Sequence, residues 1–347
     1  MLDGLTDRYR FLDRDGNPLD LDRTTAVDQY GNEHRQGRND LTSVVVISAE
    51  RGKETRRCVE SILQHTTQPF EVIVSDVGSS SETLDTITAL EDAQPNIHVI
   101  YNEHSTGTTG QRNQGVFFSR GEYLVFMDND VIVLPGWLER LQKTMAQDEG
   151  IGLVGAKLLK TEIEEVYYCG CHAVTLEKEG KVYGIGLNKS GPLANLGRND
   201  PVVMKGGEAP WYPTTCLLAR RKVFFEVGGF DDLIAGRGIF IANEDKDLSL
   251  AVRKAGYKIY YCPAAEAIHA HDYAGADRQD DYHSKYRLRM EQIEKDTAYF
   301  VRKWAITFLI EKLPHEDNTK QWDGQRLTPV DLRLDAGELS HDLVGLC

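Results

Sequence analysis

Between Leu41 and Met127 the chain alternates short apolar, β-branched runs with segments of helical period. That alternation constrains the fold more than any other feature. Val44-Val45-Val46-Ile47, Phe70 to Val74, Ile97 to Tyr101 and Tyr123 to Met127 read as strands. Thr55 to His65, Glu82 to Ala93 and Thr109 to Ser119 read as the helices between them. The first strand run is apolar at every position, which marks a strand covered on both faces. Strand, helix, strand at this spacing predicts an α/β domain built on a doubly wound parallel sheet. Such sheets bind ligands beyond the carboxyl ends of their strands. The residues to examine are therefore Ser48 to Arg51, Asp76 to Ser79, Ser105 to Asn113, and Asp128-Asn129-Asp130.

Composition narrows the function. With 40 Lys+Arg against 54 Asp+Glu, the formal charge of the 347 residues is −14. A surface so acidic disfavours nucleic acid, whose backbone needs a basic face. It equally disfavours attachment to anionic lipid by charge alone. An anionic ligand would need a local device, and a metal ion is the obvious one. No run of 18 apolar residues predicts a membrane span, and Met1 to Arg10 lacks the apolar core of a secretory signal. Cysteines at 58, 169, 171, 216, 262 and 347 read as reduced thiols, so a cytoplasmic setting is expected. Cys169-Gly170-Cys171 has no second pair at zinc spacing and reads as strand residues.

Three stretches carry chemistry. Asp128-Asn129-Asp130 follows the strong strand Tyr-Leu-Val-Phe-Met. Two carboxylates so close repel each other unless a cation sits between them, and a hard divalent ion can bridge them to a diphosphate. Taken alone, the triplet fits a solvated acidic turn as well as a metal site. Asn243-Glu244-Asp245-Lys246-Asp247 precedes an amphipathic helix, Leu248 to Ala255, stopped by Gly256. Acids in a first turn suit the helix dipole, and one of them could also serve as a general base. Ile268-His269-Ala270-His271-Asp272 follows a strand, Lys258 to Cys262, that Pro263 is expected to break. On extended backbone His269 and His271 share a face, and imidazole is a common metal ligand.

Together these stretches resemble the family-two glycosyltransferases, inverting, nucleotide-sugar-dependent enzymes of the GT-A fold. The resemblance runs from about Leu41 to about Asp272. Arg57-Cys58-Val59-Glu60-Ser61-Ile62-Leu63 is similar to the family's first-helix signature. Val74 to Ser80 resembles its Asp-Asn-Gly-Ser-Ser turn, and Gly107 to Gly115 its Gly-rich stretch ending Arg-Asn-x-Gly. Met127 to Asp130, Gly228-Gly229-Phe230-Asp231, Glu244 to Leu248 and Pro263 to His269 follow in the family's order.

The resemblance implies a Rossmann-like mixed sheet flanked by helices, with a C-terminal helical extension. It implies an N-terminal extension over 1–40, a catalytic domain over 41–275, a helical segment over 276–314 and a polar tail over 315–347. Asp76 would meet the edge of the donor base, and Ser48 and Glu50 would lie where the first-strand loop meets the nucleotide. Arg112 and Asn113 would line the donor pocket. Asp128 would contact the donor and, with Asp130 and His269, ligate Mn2+ or Mg2+. Asp245 would deprotonate the acceptor hydroxyl, with Glu244 its rival, and Trp211 would stack on an acceptor sugar. The donor would be a UDP-, dTDP- or GDP-sugar, and the acceptor a glycan, a lipid-linked intermediate or a protein. No nucleic-acid partner is expected.

Departures and ends qualify this picture. The first-strand loop reads Ile47-Ser48-Ala49-Glu50 where the family is close to Pro-Thr-Tyr-Asn. Ser105 stands where Asn is usual, and Ser81-Glu82 replaces Asp-Gly. Phe11 to Leu21 predicts a hairpin turning at Asp15-Gly16-Asn17-Pro18. Asp13, Asp15 and Asn17 are spaced like calcium-loop ligands, but the later Gly and Glu are missing. Glu162 to Pro210 reads as a variable acceptor region, in which Gly184-Ile185-Gly186 and Lys189-Ser190-Gly191 fit no phosphate fingerprint. Tyr299 to Leu313 is amphipathic with a basic edge. It would pack on the catalytic domain or on a second subunit, or lie on the inner face of a membrane. A non-catalytic sugar-nucleotide-binding module and a nucleotidyltransferase are the rival classes. The loop after the first strand lacks the glycine fingerprint of a dinucleotide-binding dehydrogenase.

Overall fold

The computed structural model describes residues 10–19, 26–27, 33–34, 37–104, 106–161, 164–169, 172–178, 181–188, 196–234, 243–270, 290–304 and 319–321. Ser105, Cys171, 189–191 and His271 lie outside them, as do 305–313 and most of the tail beyond 315.

The alternation folds as expected. The first half comprises β1 (Arg38–Ser48), α1 (Gly52–His65), β2 (Phe70–Val77), α2 (Ser81–Ala93), β3 (Ile97–Asn102), α3 (Gly107–Phe118) and β4 (Gly121–Asp128). There follow β5 (Val131–Val133), α4 (Trp137–Met145), β6 (Ile151–Leu159), β7 (Val166–Tyr168), β8 (His172–Lys178) and β9 (Lys181–Asn188). The rest comprises β10 (Gly207–Glu208), β11 (Cys216–Arg220), α5 (Arg221–Glu226), α6 (Glu244–Lys254), β12 (Lys258–His269), α7 (Met290–Trp304) and β13 (Thr319–Gln321). The main sheet runs β10-β12-β6-β11-β4-β1-β2-β3, with β5 beside β12 and β7 beside β6.

This sheet is mixed. β1, β2, β3 and β4 are parallel, whereas β11 inserts antiparallel between β4 and β6. Every residue of β1 from Leu41 to Ser48 is buried, as a strand covered on both faces requires. One cover is α1, whose buried Thr55, Cys58, Val59 and Ile62 fall on one helical face. The other is α3, all twelve residues of which are buried. Its Gly115 permits that close approach, since a Cβ there would stand 2.4 Å from Val45 Cγ1.

Three expectations shift. β1 begins at Arg38, so the N-terminal stretch already joins the sheet. The 11–19 hairpin forms, but Phe11 is buried with Ile73, Ile100, Phe117 and Phe118. Burying such a ring contributes roughly 2 kcal/mol. Pro263 does not end its strand. β12 continues to His269, and the register against β6 slips between Cys262 and Glu266, which accommodates the missing N–H as a bulge. β13 pairs with β8 at the start of the C-terminal tail.

Candidate active site

The register of the sheet brings the signature residues together. Ser48 pairs with Asp76 across β1 and β2, and Ile47 pairs with Asp128 across β1 and β4. These positions are the carboxyl ends of parallel strands. β12 approaches from the other half of the sheet. His269 pairs with Val131 of β5, and the Ala270 N–H donates to Asp130 O at 2.9 Å. The continuation of β12 past Pro263 is what carries His269 to Asp130.

Asp128, Asp130 and His269 can each present one ligand atom within 4.8 Å of the others. His269 Nε2 lies 3.3 Å from Asp130 Oδ1, and both side chains are buried. Two carboxylates and an imidazole are oxygen and nitrogen donors that suit a divalent cation. Asn129 points elsewhere, its amide donating to Thr55 Oγ1 at 2.9 Å. Tyr167 of β7 lies half-buried with its ring 4.9 Å from that of His269.

Arg112 joins the metal cluster to the start of α6. One terminal nitrogen lies 3.0 Å from Asp128 Oδ1 and the other 3.2 Å from Glu244 Oε1. The guanidinium is almost wholly buried and lies over the Phe230 ring. Burial, aided by the charge of Asp245, pushes the Glu244 carboxyl up to about 7. Asp245, the next residue, is half-buried.

At the other end of the site Asp76 is buried and accepts a 2.6 Å hydrogen bond from Ser79 Oγ. Burial outweighs its hydrogen bonds and pushes its carboxyl up to about 6. Gln111 clamps the two strand ends beside it, Nε2 donating to Ser48 O at 2.9 Å and to Ser75 O at 2.6 Å. Gln114 accepts from Ser75 Oγ and Asn102 Nδ2 one helical turn on. Sequence reasoning passed over both glutamines. Their spacing of three within a helix gave the one available sign that they share a face.

Three expected site residues have close partners within the protein. Glu50 meets the start of the next helix. Its carboxylate accepts from Ser80 N at 3.1 Å, Ser80 Oγ at 2.8 Å and Thr83 Oγ1 at 3.3 Å, capping α2 from a distance. Glu50 and Arg51 both adopt left-handed backbone, φ 55° and 57°, which places that carboxylate over the helix start. Asn113 binds a neighbouring loop through its amide. Nδ2 donates to Phe230 O at 2.9 Å and Asp232 Oδ1 at 3.0 Å, while Oδ1 accepts from Phe230 N at 3.0 Å. It anchors the 228–232 loop, where Gly229 holds φ +72° and a Cβ would stand 3.1 Å from that same Oδ1. Trp211 is 0% exposed, under Lys246, so it offers no open face to a sugar.

Other expectations find their places. Asp13 accepts the N–H groups of Asp15 and Asn17, an Asx turn instead of a calcium loop. Gly184-Ile185-Gly186 lies within β9, paired with β8, and so forms no phosphate loop. Cys169 is buried, and burial pushes its thiol up to about 11. From the Tyr299–Leu313 stretch, the described part packs on the domain with Phe300 and Trp304 buried. Among the described residues no helix is long and apolar enough to cross a membrane.

A mixed, helix-flanked sheet with a carboxylate pair and a histidine gathered at its strand ends is an arrangement of the GT-A fold. Residues 43–168 match the model of Glycosyl transferase family 2. The uncharacterized protein y4gI of Sinorhizobium fredii is 30% identical over 271 residues, 76% of this chain and 27% of that protein. The pre-mycofactocin glycosyltransferase of Mycobacterium tuberculosis is 27% identical over 255 residues, 72% of this chain and 46% of that protein. The chain thus spans under half the length of either relative. The crystal structure of GalNAc-T7 with UDP, GalNAc and Mn2+ aligns with 83% of this chain and 53% of its own, at TM-score 0.54 and 16% identity. Over residues 43–168 the chain carries a domain of the family-two glycosyltransferases.

Proposed function

We propose that the chain is a metal-dependent, inverting glycosyltransferase that moves a sugar from a nucleoside-diphosphate donor to an acceptor hydroxyl, in glycan or glycoconjugate synthesis. The observation that carries this reading is the convergence of Asp128, Asp130 and His269 within 4.8 Å at the strand ends. The family match supports it, as does a solved relative of the same fold described with UDP and Mn2+.

A divalent cation held by Asp128, Asp130 and His269 would compensate the charge of the departing diphosphate. Asp76, ionised above pH 6, accepts a hydrogen bond from the imide edge of a uracil or thymine base. Ser48 lies beside it and shapes the same wall. Asp245 takes the acceptor proton as the acceptor oxygen attacks the anomeric carbon from the face opposite the leaving group. The new bond forms as the bond to the diphosphate oxygen breaks, which inverts the centre. Glu244 is a poor base, because it is buried and its carboxylate is engaged by Arg112. Its role is to hold Arg112 against Asp128. Tyr167, half-buried at the metal cluster, takes the part of the sugar-facing aromatic that Trp211 is too buried to play.

A thermal-shift panel of UDP-, dTDP- and GDP-sugars, each with and without Mn2+, tests this reading. A ligand at 100 times its Kd stabilises the folded state by about 2.7 kcal/mol. One donor class is expected to raise Tm only with the cation. A flat response to every donor in both conditions would overturn the proposal.

A further inference from the structure

Helix α7 lies outside the family match, yet its last turns bind two acids of the signature motifs. Asp231 closes the Gly-Gly-Phe-Asp loop, and Asp247 stands in the first turn of α6, two residues after Asp245. Lys303 Nζ lies 2.7 Å from Asp231 Oδ2 and 2.8 Å from Asp247 Oδ1. Trp304 Nε1 donates to Asp247 Oδ1 at 2.6 Å, and Tyr299 OH donates to Asp231 Oδ2 at 3.0 Å. Phe300 is wholly buried between these polar contacts in sequence. The same loop is also held by Asn113, next to Arg112.

We propose that Lys303 is a positioning residue for glycosyl transfer, tying the 228–232 loop to the first turn of α6 so that Asp245 is held at the acceptor oxygen. This rests on the reading of Asp245 as the base. The arrangement has a direction. Asp76, Asp130 and His269 are anchored by the sheet, whereas the start of α6 follows residues 235–242 and is fastened by side chains. Those side chains include Arg112 on Glu244, and Lys303 and Trp304 on Asp247. With Lys303 removed, the buried Asp247 carboxylate keeps only Trp304 as a close partner from α7, and the acidic loop and acidic helix turn lose the cation between them. The first turn then shifts, and Asp245 with it, while the donor end stays in place. The consequence is a loss in turnover without a loss in nucleotide affinity.

The test uses the full chain and two readouts. Affinity for UDP, dTDP and GDP with Mn2+ is measured by calorimetry. Turnover is measured as nucleoside diphosphate released from the corresponding sugars to water, which stands in for the acceptor hydroxyl. Lys303→Met is expected to slow release at least tenfold with nucleotide Kd within twofold of wild type, and Lys303→Arg to restore most of the rate. Unchanged release in Lys303→Met, or a parallel loss of nucleotide affinity, would overturn the proposal. Should Lys303→Met fail to fold, Tyr299→Phe removes a single hydroxyl from Asp231, and a wild-type rate there would overturn it as well. A wild-type chain that binds Mn2+ and nucleotide but releases nothing would instead sink the catalytic reading, and this one with it.

Discussion

Arg112 Nη1 stands 3.2 Å from Glu244 Oε1, and this contact joins the Gly-rich helix to the turn that carries the proposed base. On the proposed reading it gives two adjacent acids of one motif separate roles. Glu244 is buried and its carboxylate is engaged by Arg112, whereas Asp245 is half-buried.

A Glu244→Gln variant keeps an oxygen that can accept from Arg112 and removes the buried charge. It should therefore retain turnover within about tenfold, whereas loss of a true general base costs roughly 10²–10⁴-fold. Nucleoside diphosphate release by the purified variant measures this. A loss beyond a hundredfold would return Glu244 to the role of base.

Asp76 gives a pH-dependent prediction. Its folded-state carboxyl, at about 6, lies above the unfolded value of 3.8. The folded chain thus holds this proton more tightly, and stability falls as pH rises through that window. Two units correspond to about 3 kcal/mol. Asp76→Asn should therefore be more stable than wild type at pH 8 by up to ~3 kcal/mol, with the advantage gone below pH 4. It should also bind nucleotide more weakly. Denaturant titrations at the two pH values decide the first point. An advantage that persists at pH 3.5 would contradict it.

Much of this was legible in the sequence, and the exceptions have a common cause. The strands and helices followed from periodicity because local pattern sets which face is buried. Asp128, Asp130 and His269 were legible because each abuts a readable strand. What could not be read was the partner of a polar side chain. Asn113 stands in a signature motif, but its amide is consumed by a loop 117 residues on. Trp211 was expected at an open face, yet the packing of Tyr168 and Lys246 around it buries it. Pro263 was expected to stop a strand, and a neighbouring strand absorbed it as a register slip. Each depends on contacts distant in sequence, which no local pattern encodes.

Glu50 illustrates the same point and can be tested separately. Its carboxylate caps α2, so Glu50→Ala should cost about 1 kcal/mol of stability and leave the choice of donor nucleotide unchanged. Chemical denaturation combined with the nucleotide panel gives both answers. A change in nucleotide preference without loss of stability would put Glu50 back in the donor pocket.

On the proposed reading, metal and base are separate parts of one site. Calorimetric titration of Mn2+ and nucleotide, paired with turnover, on Asp130→Ala and Asp245→Asn tests it most directly. Asp130→Ala should lose cation-dependent nucleotide binding and turnover together. Asp245→Asn should bind as wild type does, while turnover falls by roughly 10²–10⁴-fold. Full turnover in Asp245→Asn, or wild-type cation-dependent binding in Asp130→Ala, would contradict it.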